Sequence, residues 1–237
     1  MRWTIRVDIV ALVPAAGSGE RAGGALPKQL RTVCGRPLVA WSVARLRAAG
    51  VGSFVVAAPF ELVDAMAAAL HGERGVTVVA GGSTRQASVA LALAAAAGAP
   101  GALVVVHDAA RPAVSPADVA ATLAAANESG GAILGRPVTD TVKRLDGRVV
   151  AATVDRSTLF RAETPQVFRR EVLERALALA TSDRFLGTDE SSLVERVPGA
   201  RVVAVAARFP NPKVTFESDF ARVEALLAAD ASGGAAT

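Results

Sequence analysis

Residues 9–21 read Ile-Val-Ala-Leu-Val-Pro-Ala-Ala-Gly-Ser-Gly-Glu-Arg, and Pro27-Lys28-Gln29 follow closely. The stretch from Ile9 to Val13 is apolar at every position rather than at alternate ones, as in a parallel-sheet strand buried on both faces. The glycine loop after it then lies at a strand's carboxyl end, where open α/β sheets bind ligands. Working outward, short β-rich runs alternate with Ala/Leu-rich helical stretches. The expected strands are Asp8–Pro14, Ser53–Ala58, Val76–Ala80, Leu103–His107, Gly131–Leu134 and Arg201–Ala206. Between them, Pro37–Ala49, Glu61–Leu70 and Arg85–Ala97 read as helices. Ser115-Pro116-Ala117-Asp118 supplies an N-cap, a first-turn proline and an acidic residue for a helix running toward Asn127. The pattern is α/β, a doubly wound and mostly parallel sheet.

Of the 237 residues, 51% are hydrophobic, 20% charged and 4% aromatic, the composition of a soluble globular protein. One domain over 1–230 is expected, with no internal repeat or linker, no room for a second fused enzyme, and a frayed tail over 231–237. The single Cys34 excludes an internal disulfide and Cys-cluster metal sites, and His71 and His107 form no metal-ligating pair. A reducing, cytoplasmic setting follows. Asp8 and Pro14 interrupt the N-terminal apolar run too soon for an export signal, and the run Val89–Ala97 is too short to cross a membrane. A net charge of +4 without a basic stripe, and a chain without Tyr, exclude nucleic acid as the expected partner.

One segment breaks the alternation. Asp140–Val154 reads as two β-rich runs joined by Asp146-Gly147, a tight-turn dipeptide. It is either an extra hairpin on the sheet edge or an arm reaching a partner subunit.

Three readings compete for the glycine loop. Gly17, Gly19 and Ala22 fit a dinucleotide fingerprint, but Gly23, Gly24 and Pro27 would break the helix that must follow, and Ala57-Ala58-Pro59 lacks the ribose-binding acid. A Walker loop needs a Gly-Lys-Ser/Thr ending that is missing. The reading preferred over a merely structural turn is a phosphate-wrapping loop with Arg21 and Lys28 placed to meet a triphosphate. A second motif, His107-Asp108-Ala109-Ala110-Arg111-Pro112, follows the strand at Leu103. Asp108 either holds Mg²⁺, which takes few carboxylates and completes its shell with phosphate and water, or caps a turn with Arg111 paired to it at the surface. In the first case Arg111 grips a second anion. No nucleophile elbow or carboxylate pair is visible, and His107 reads as structural. A phosphate nucleophile needs no general base, because it is largely dianionic at pH 7. Phosphate-on-phosphate attack therefore suits this inventory.

From about Ile9 to Leu227 the chain resembles the 2-C-methyl-D-erythritol 4-phosphate cytidylyltransferases. The resemblance is carried in order by AAGSGER with PKQ (15–29), GGSTRQASV (81–89), VHDAARP (106–112), PVTDTVKR (137–144), TVDR (153–156), TPQ (164–166), TDE (188–190) and NPKVT (211–215). It implies a nucleotidyltransferase fold with a projecting β-arm, about 137–158, that makes a homodimer, and a Mg²⁺-dependent reaction of CTP with the sugar-alcohol phosphate. It implies that Arg21 and Lys28 stabilise charge on the triphosphate, and that Arg156 and Lys213 position the attacking phosphate. Ala15, Ala16, Gly17, Ser18 and Gly19, with Gly82, Ser83, Ser88, Asp108 and Ala109, would hold the nucleotide. Asp108, Arg111, Thr188 and Lys213, with Thr141, Arg156 and Thr164 from the partner's arm, would hold the alcohol phosphate. Asp108 would also hold the metal. Read by residue alone, Thr141 and Thr164 are ordinary strand threonines and Thr188 an N-cap residue.

Three departures stand out: Ala87 replaces a usual aspartate near Arg85, Pro212 precedes Lys213 in place of a branched aliphatic, and Phe216-Glu217-Ser218 replaces the common Thr-Pro-Glu. The rival functions are a cytidylyltransferase for another polyol phosphate, such as ribitol 5-phosphate, and a non-catalytic nucleotide-binding relative.

Overall fold

A computed structural model describes residues 8–17 and 26–233. In chain order the elements are β1 (Ile9–Pro14), a small ribbon of β2 (Thr32–Val33) and β3 (Arg36–Pro37), α1 (Leu38–Ala48), β4 (Ser53–Ala58), α2 (Val63–Ala69), β5 (Val76–Ala80), α3 (Arg85–Ala95), β6 (Leu103–Val106) and α4 (Pro116–Ser129). There follow β7 (Gly131–Pro137), β8 (Val142–Asp146), β9 (Val149–Val154), β10 (Phe160–Arg169), α5 (Arg170–Ser182), α6 (Glu190–Val194), β11 (Val203–Ala206) and α7 (Ser218–Gly233). Seven strands form one sheet in the order β5-β4-β1-β6-β10-β7-β11. Neighbours run parallel except β10, which is antiparallel to both β6 and β7.

The unbroken apolar runs have the expected cause. Alternate residues of β1 point to opposite faces, so Ala11 and Val13 enter a core with Val39 and Val43 of α1, Met66 of α2 and Val119 of α4. Val10 and Leu12 enter the other core, with Val89 of α3, Leu173 and Leu177 of α5 and Leu193 of α6. Helices cover both faces, so no position of β1 can be polar. The α4 boundary is likewise chemical: the Ser115 hydroxyl accepts the Ala117 N–H at 3.2 Å, Pro116 opens the helix, and Gly130 closes it at φ 89°. Its acidic residue behaves differently from a simple dipole partner. Asp118 is buried and accepts the backbone N–H groups of Arg208 and Phe209, tying the helix to the segment that leads to Lys213.

β10 carries no strand signal in the sequence because it reads FRAETPQVFR, with Glu163, Thr164 and Gln166 buried. Proline is disfavoured in central strands; here the pairing with β7 shifts register between Ala162 and Gln166, and Pro165 falls in the gap. The hairpin β8–β9 is a separate two-stranded sheet, so it is not an addition to the edge of the main one. Gly147 turns it at φ 57°, and Leu145, Val149 and Val150 are exposed along it. α7 runs from Ser218 to Gly233 through the strong helix formers Ala225, Leu226, Leu227, Ala228 and Ala229, and residues 234–237 of the expected frayed tail lie outside the described residues. Among the described residues, no helix is long and apolar enough to cross a membrane.

Candidate active site

The carboxyl ends of β1 and β6 open onto one cavity of about 370 Å³. Its walls include Ala16, Gly17, Lys28, Gly82, Ser83 and Asp108. The loop after β1 is held at its mouth by Gln29, whose side-chain amide donates to the carbonyls of Ala15 at 3.0 Å and Gly17 at 2.9 Å. Ser18, Gly19 and Arg21 lie outside the described residues. On the facing side, a Cβ on Gly81 would sit 2.6 Å from the Ala16 methyl and one on Gly82 2.5 Å from the Ala87 methyl, so both positions require glycine. Ser83 is exposed on the rim, whereas Ala109 is buried in the wall. Ser88 is a brace: its buried hydroxyl accepts from the Gly82 N–H and donates to the Thr84 carbonyl.

Asp108 is the electrostatic centre. Its Oδ1 lies 3.2 Å from Arg85, its Oδ2 2.8 Å from Lys213 Nζ and 3.7 Å from Arg111 Nε. Burial alone would raise this carboxyl, but Arg85, Lys213 and Arg111 outweigh it and hold Asp108 well below the usual carboxylate range. The turn-capping alternative is corrected by burial: Arg111 does face Asp108, but in the interior rather than at the surface. Arg85 is in turn gripped by both oxygens of buried Glu190, at 2.6 and 2.8 Å. Burial opposes the Arg85 charge, and Glu190 and Asp108 more than offset it, so its pKa lies above the ordinary value. This pair supplies the bracing that an aspartate at position 87 does not provide here.

Lys213 is well aimed despite Pro212. Val214 N–H bonds the Ala110 carbonyl at 2.8 Å, and the buried Asn211 amide bonds the Thr164 carbonyl at 2.8 Å, so both neighbours of the proline–lysine pair are pinned. Lys28 reaches the same strap, with Nζ 3.0 Å from the Val214 carbonyl.

The threonines and Arg156 fall differently. Thr164 is corrected in position: it belongs to β10, not to the arm, and is buried beside Asp108 of its own chain. The Asp108 N–H donates to its hydroxyl at 3.1 Å, and that hydroxyl donates to His107 Nδ1 at 3.1 Å, while His107 Nε2–H donates to the Arg111 carbonyl at 3.1 Å. The carbonyl can only accept, which fixes the tautomer and makes His107 a structural strut. Thr141 and Arg156 stand exposed at the base of the arm, where Arg156 donates to the Thr139 carbonyl at 2.7 Å; neither lines the cavity in its own chain. Thr188 is exposed beside the α6 N-cap, which is Asp189. Gln29, Arg85 and Glu190 were not among the expected site residues. They sit inside quoted motifs, but nothing in the sequence pairs residues 85 and 190.

A second cavity, of about 430 Å³, lies against Lys213 and Arg111 on the side away from the glycine loop. Asn211 and Pro212 line it too, so the Lys213 strap is the wall between the two spaces. Among the described residues there is no cluster of three or more metal-ligating side chains.

The model of the 2-C-methyl-D-erythritol 4-phosphate cytidylyltransferase family, IspD, matches residues 9–229. The Ralstonia nicotianae enzyme of that name is 43% identical over 232 residues, covering 92% of this chain and 91% of that one. The Cereibacter sphaeroides enzyme is 44% identical over 220 residues, covering 92% and 96%. The crystal structure of the Thermus thermophilus enzyme superimposes with a TM-score of 0.74 at 35% identity, covering 93% of this chain and 98% of that one. That of the Francisella tularensis enzyme gives 0.79 at 26%, covering 92% and 99%. With the glycine loop, Lys28, Asp108 and Lys213 gathered at the carboxyl ends of β1 and β6, and with this match over nearly its whole length, the chain belongs to the IspD family of cytidylyltransferases.

Proposed function

We propose that the chain joins CTP and 2-C-methyl-D-erythritol 4-phosphate into 4-diphosphocytidyl-2-C-methyl-D-erythritol and pyrophosphate. The observation that carries this reading is the pair of cavities meeting at Lys213, one walled by the glycine loop and the other by arginines. CTP lies in the first and the alcohol phosphate in the second. A phosphate oxygen of the alcohol substrate attacks the α-phosphorus of CTP, forming a P–O–P link as the bond to the β-phosphate breaks and pyrophosphate leaves. Lys28 and Arg21 meet the charge that builds on the triphosphate, and Lys213, now on Asp108, turns to the attacking phosphate. Proton transfer is not needed, so neutral His107 takes no part.

A divalent ion fits the donor set. Asp108 is ionised, faces the nucleotide cavity and is a single carboxylate, which suits Mg²⁺ held mainly by triphosphate oxygens and water. When bound, such an ion neutralises phosphate charge and favours pyrophosphate departure. Arg156 and Thr141, remote from the cavity in their own chain, would act in a homodimer in which the arm reaches the partner's site. The reading places the enzyme in the cytoplasm, consistent with an exposed, unbridged Cys34.

The test is pyrophosphate release from CTP and Mg²⁺ with either methylerythritol phosphate or ribitol 5-phosphate, with Lys28→Ala as control. Release with the first alone supports the reading. Release with ribitol phosphate overturns the substrate, and CTP binding without release from either overturns the activity.

A further inference from the structure

The second cavity holds a buried carboxylate to which the proposed reaction gives no role. Its cations are Arg111, Arg136, Arg161, Lys213 and Arg222, set against two carboxylates, Glu163 and Asp219. Asp219 is occupied with the backbone N–H groups of Thr215 and Phe216, at 2.8 Å each. Glu163 is different. It is buried, at 6% exposure, and three guanidinium groups ring it at ion-pair range without a hydrogen bond: Arg136 at 3.5 Å and Arg161 at 3.8 Å from Oε1, and Arg111 at 3.9 Å from Oε2. Its Oε2 is enclosed and has no hydrogen-bond partner, nor has the enclosed Nε of Arg111.

Resting on the proposed reaction, we infer that Glu163 is the positioning residue for the alcohol-phosphate cavity, drawing Arg111, Arg136 and Arg161 into one convergent anion-binding wall. Three guanidinium groups crowded into one wall repel one another, and a carboxylate at their centre reverses that balance. Because it attracts them through charge at 3.5–3.9 Å, it does so without using up the N–H donors that a phosphate would need. Backbone acceptors anchor two of them: the Arg111 nitrogen nearest Glu163 donates to the Asn211 carbonyl at 2.7 Å, and Arg136 donates to the Phe209 carbonyl through a nitrogen other than the one facing Glu163. Arg111 therefore spans the two halves of the site, with Asp108 on the nucleotide side and Glu163 on the other. Oε2 is too enclosed to take a substrate hydroxyl, so that oxygen acts through the arginines and not by touching the alcohol.

The inference has an unusual sign. If Glu163 were simply a negative charge beside an anion site, Glu163→Gln would tighten phosphate binding. As an organiser, its loss loosens it. The expected result is a KM for the alcohol phosphate raised by about tenfold or more, the scale of coupling within a charge network, with the KM for CTP and kcat little changed. Glu163→Asp, which keeps the charge but shortens its reach, recovers part of the loss. In an Arg136→Ala, Arg161→Ala background, Glu163→Gln adds less than it does alone. Inorganic phosphate titrated calorimetrically in the presence of saturating CTP reads the cavity without turnover, and weaker binding to Glu163→Gln is expected there too. Phosphate affinity that is unchanged or tighter, or a loss that falls equally on both substrates, overturns the inference. If the wild-type protein releases no pyrophosphate, the proposed reaction fails, while the phosphate titration still decides the role of Glu163. Should Glu163→Gln not fold, Glu163→Asp carries the same comparison.

Discussion

His107 and Glu190 show how single buried groups hold the nucleotide cavity in shape. His107 is enclosed and both its ring nitrogens are bonded, and burial pushes its pKa down to about 4. In the unfolded chain it titrates near 6.5, so between these values the unfolded state takes up a proton that the folded state refuses. Stability should thus be unaffected by His107 above pH 6.5 and fall by about 3 kcal/mol as pH drops toward 4. Denaturant melts in EDTA across this range should show a flatter slope for His107→Gln, whatever its absolute stability. Asp108, held below the carboxylate range, loses its contribution only at lower pH and does not blur the window. Glu190 binds Arg85 through both oxygens and, among the described contacts, pairs with no other cation, whereas Asp108 is shared among Arg85, Arg111 and Lys213. Glu190→Gln keeps one acceptor for Arg85 but leaves Asp108 as its one charged partner among the described contacts. Because Arg85 is 30% exposed, the stability cost should be about 2 kcal/mol, below that of a fully buried pair, and the KM for CTP should rise; urea melts and initial rates check both.

At the scale of elements, α4 tests whether local chemistry or packing sets a boundary. Ser115→Ala removes the hydroxyl that caps Ala117 and should cost about 1 kcal/mol in a urea melt, without altering substrate KM values. An unchanged midpoint would mean that the Asp118 link to Arg208 and Phe209 alone holds the helix start. Elements of this kind were legible in the sequence: β1 and β6 as unbroken apolar runs, β4 and β5 as short β-rich ones, α4 by its cap and proline, and the hairpin by Asp146-Gly147. β10 was not, because its buried polar residues serve the site instead of the core. Glu163 faces arginines, Thr164 faces His107 and Asp108, and Gln166 bonds Asp189 at 2.7 Å. The same blindness extends to the chemistry. Lys28, Asp108 and Lys213 stand in motifs that announce anion binding, but the Arg85–Glu190 pair and the ring around Glu163 join segments that only the folded sheet brings together.

For the whole molecule, the proposed role of Arg156 turns on which subunit's site it serves. In its own chain it is exposed at the base of the arm and bonded to the Thr139 carbonyl, while Lys28 bonds the Val214 carbonyl of the strap and Lys213 pairs with Asp108. The arm leaves the sheet as an independent hairpin with Leu145, Val149 and Val150 exposed, an apolar edge that invites a second copy. If each site combines Lys28 of one subunit with Arg156 of the other, then Lys28→Ala and Arg156→Ala proteins are each inactive for different reasons. Mixed and allowed to exchange subunits, they form hybrids in which one site carries both lesions and the other carries none. Equal mixing should restore about a quarter of wild-type activity, since half the dimers are hybrid and each has one intact site of two. Pyrophosphate release before and after mixing reads this directly, with exchange verified by a size-tagged subunit. Activity at background despite exchange would place Arg156 in its own chain's site and require the arm to fold back on the sheet that bears it.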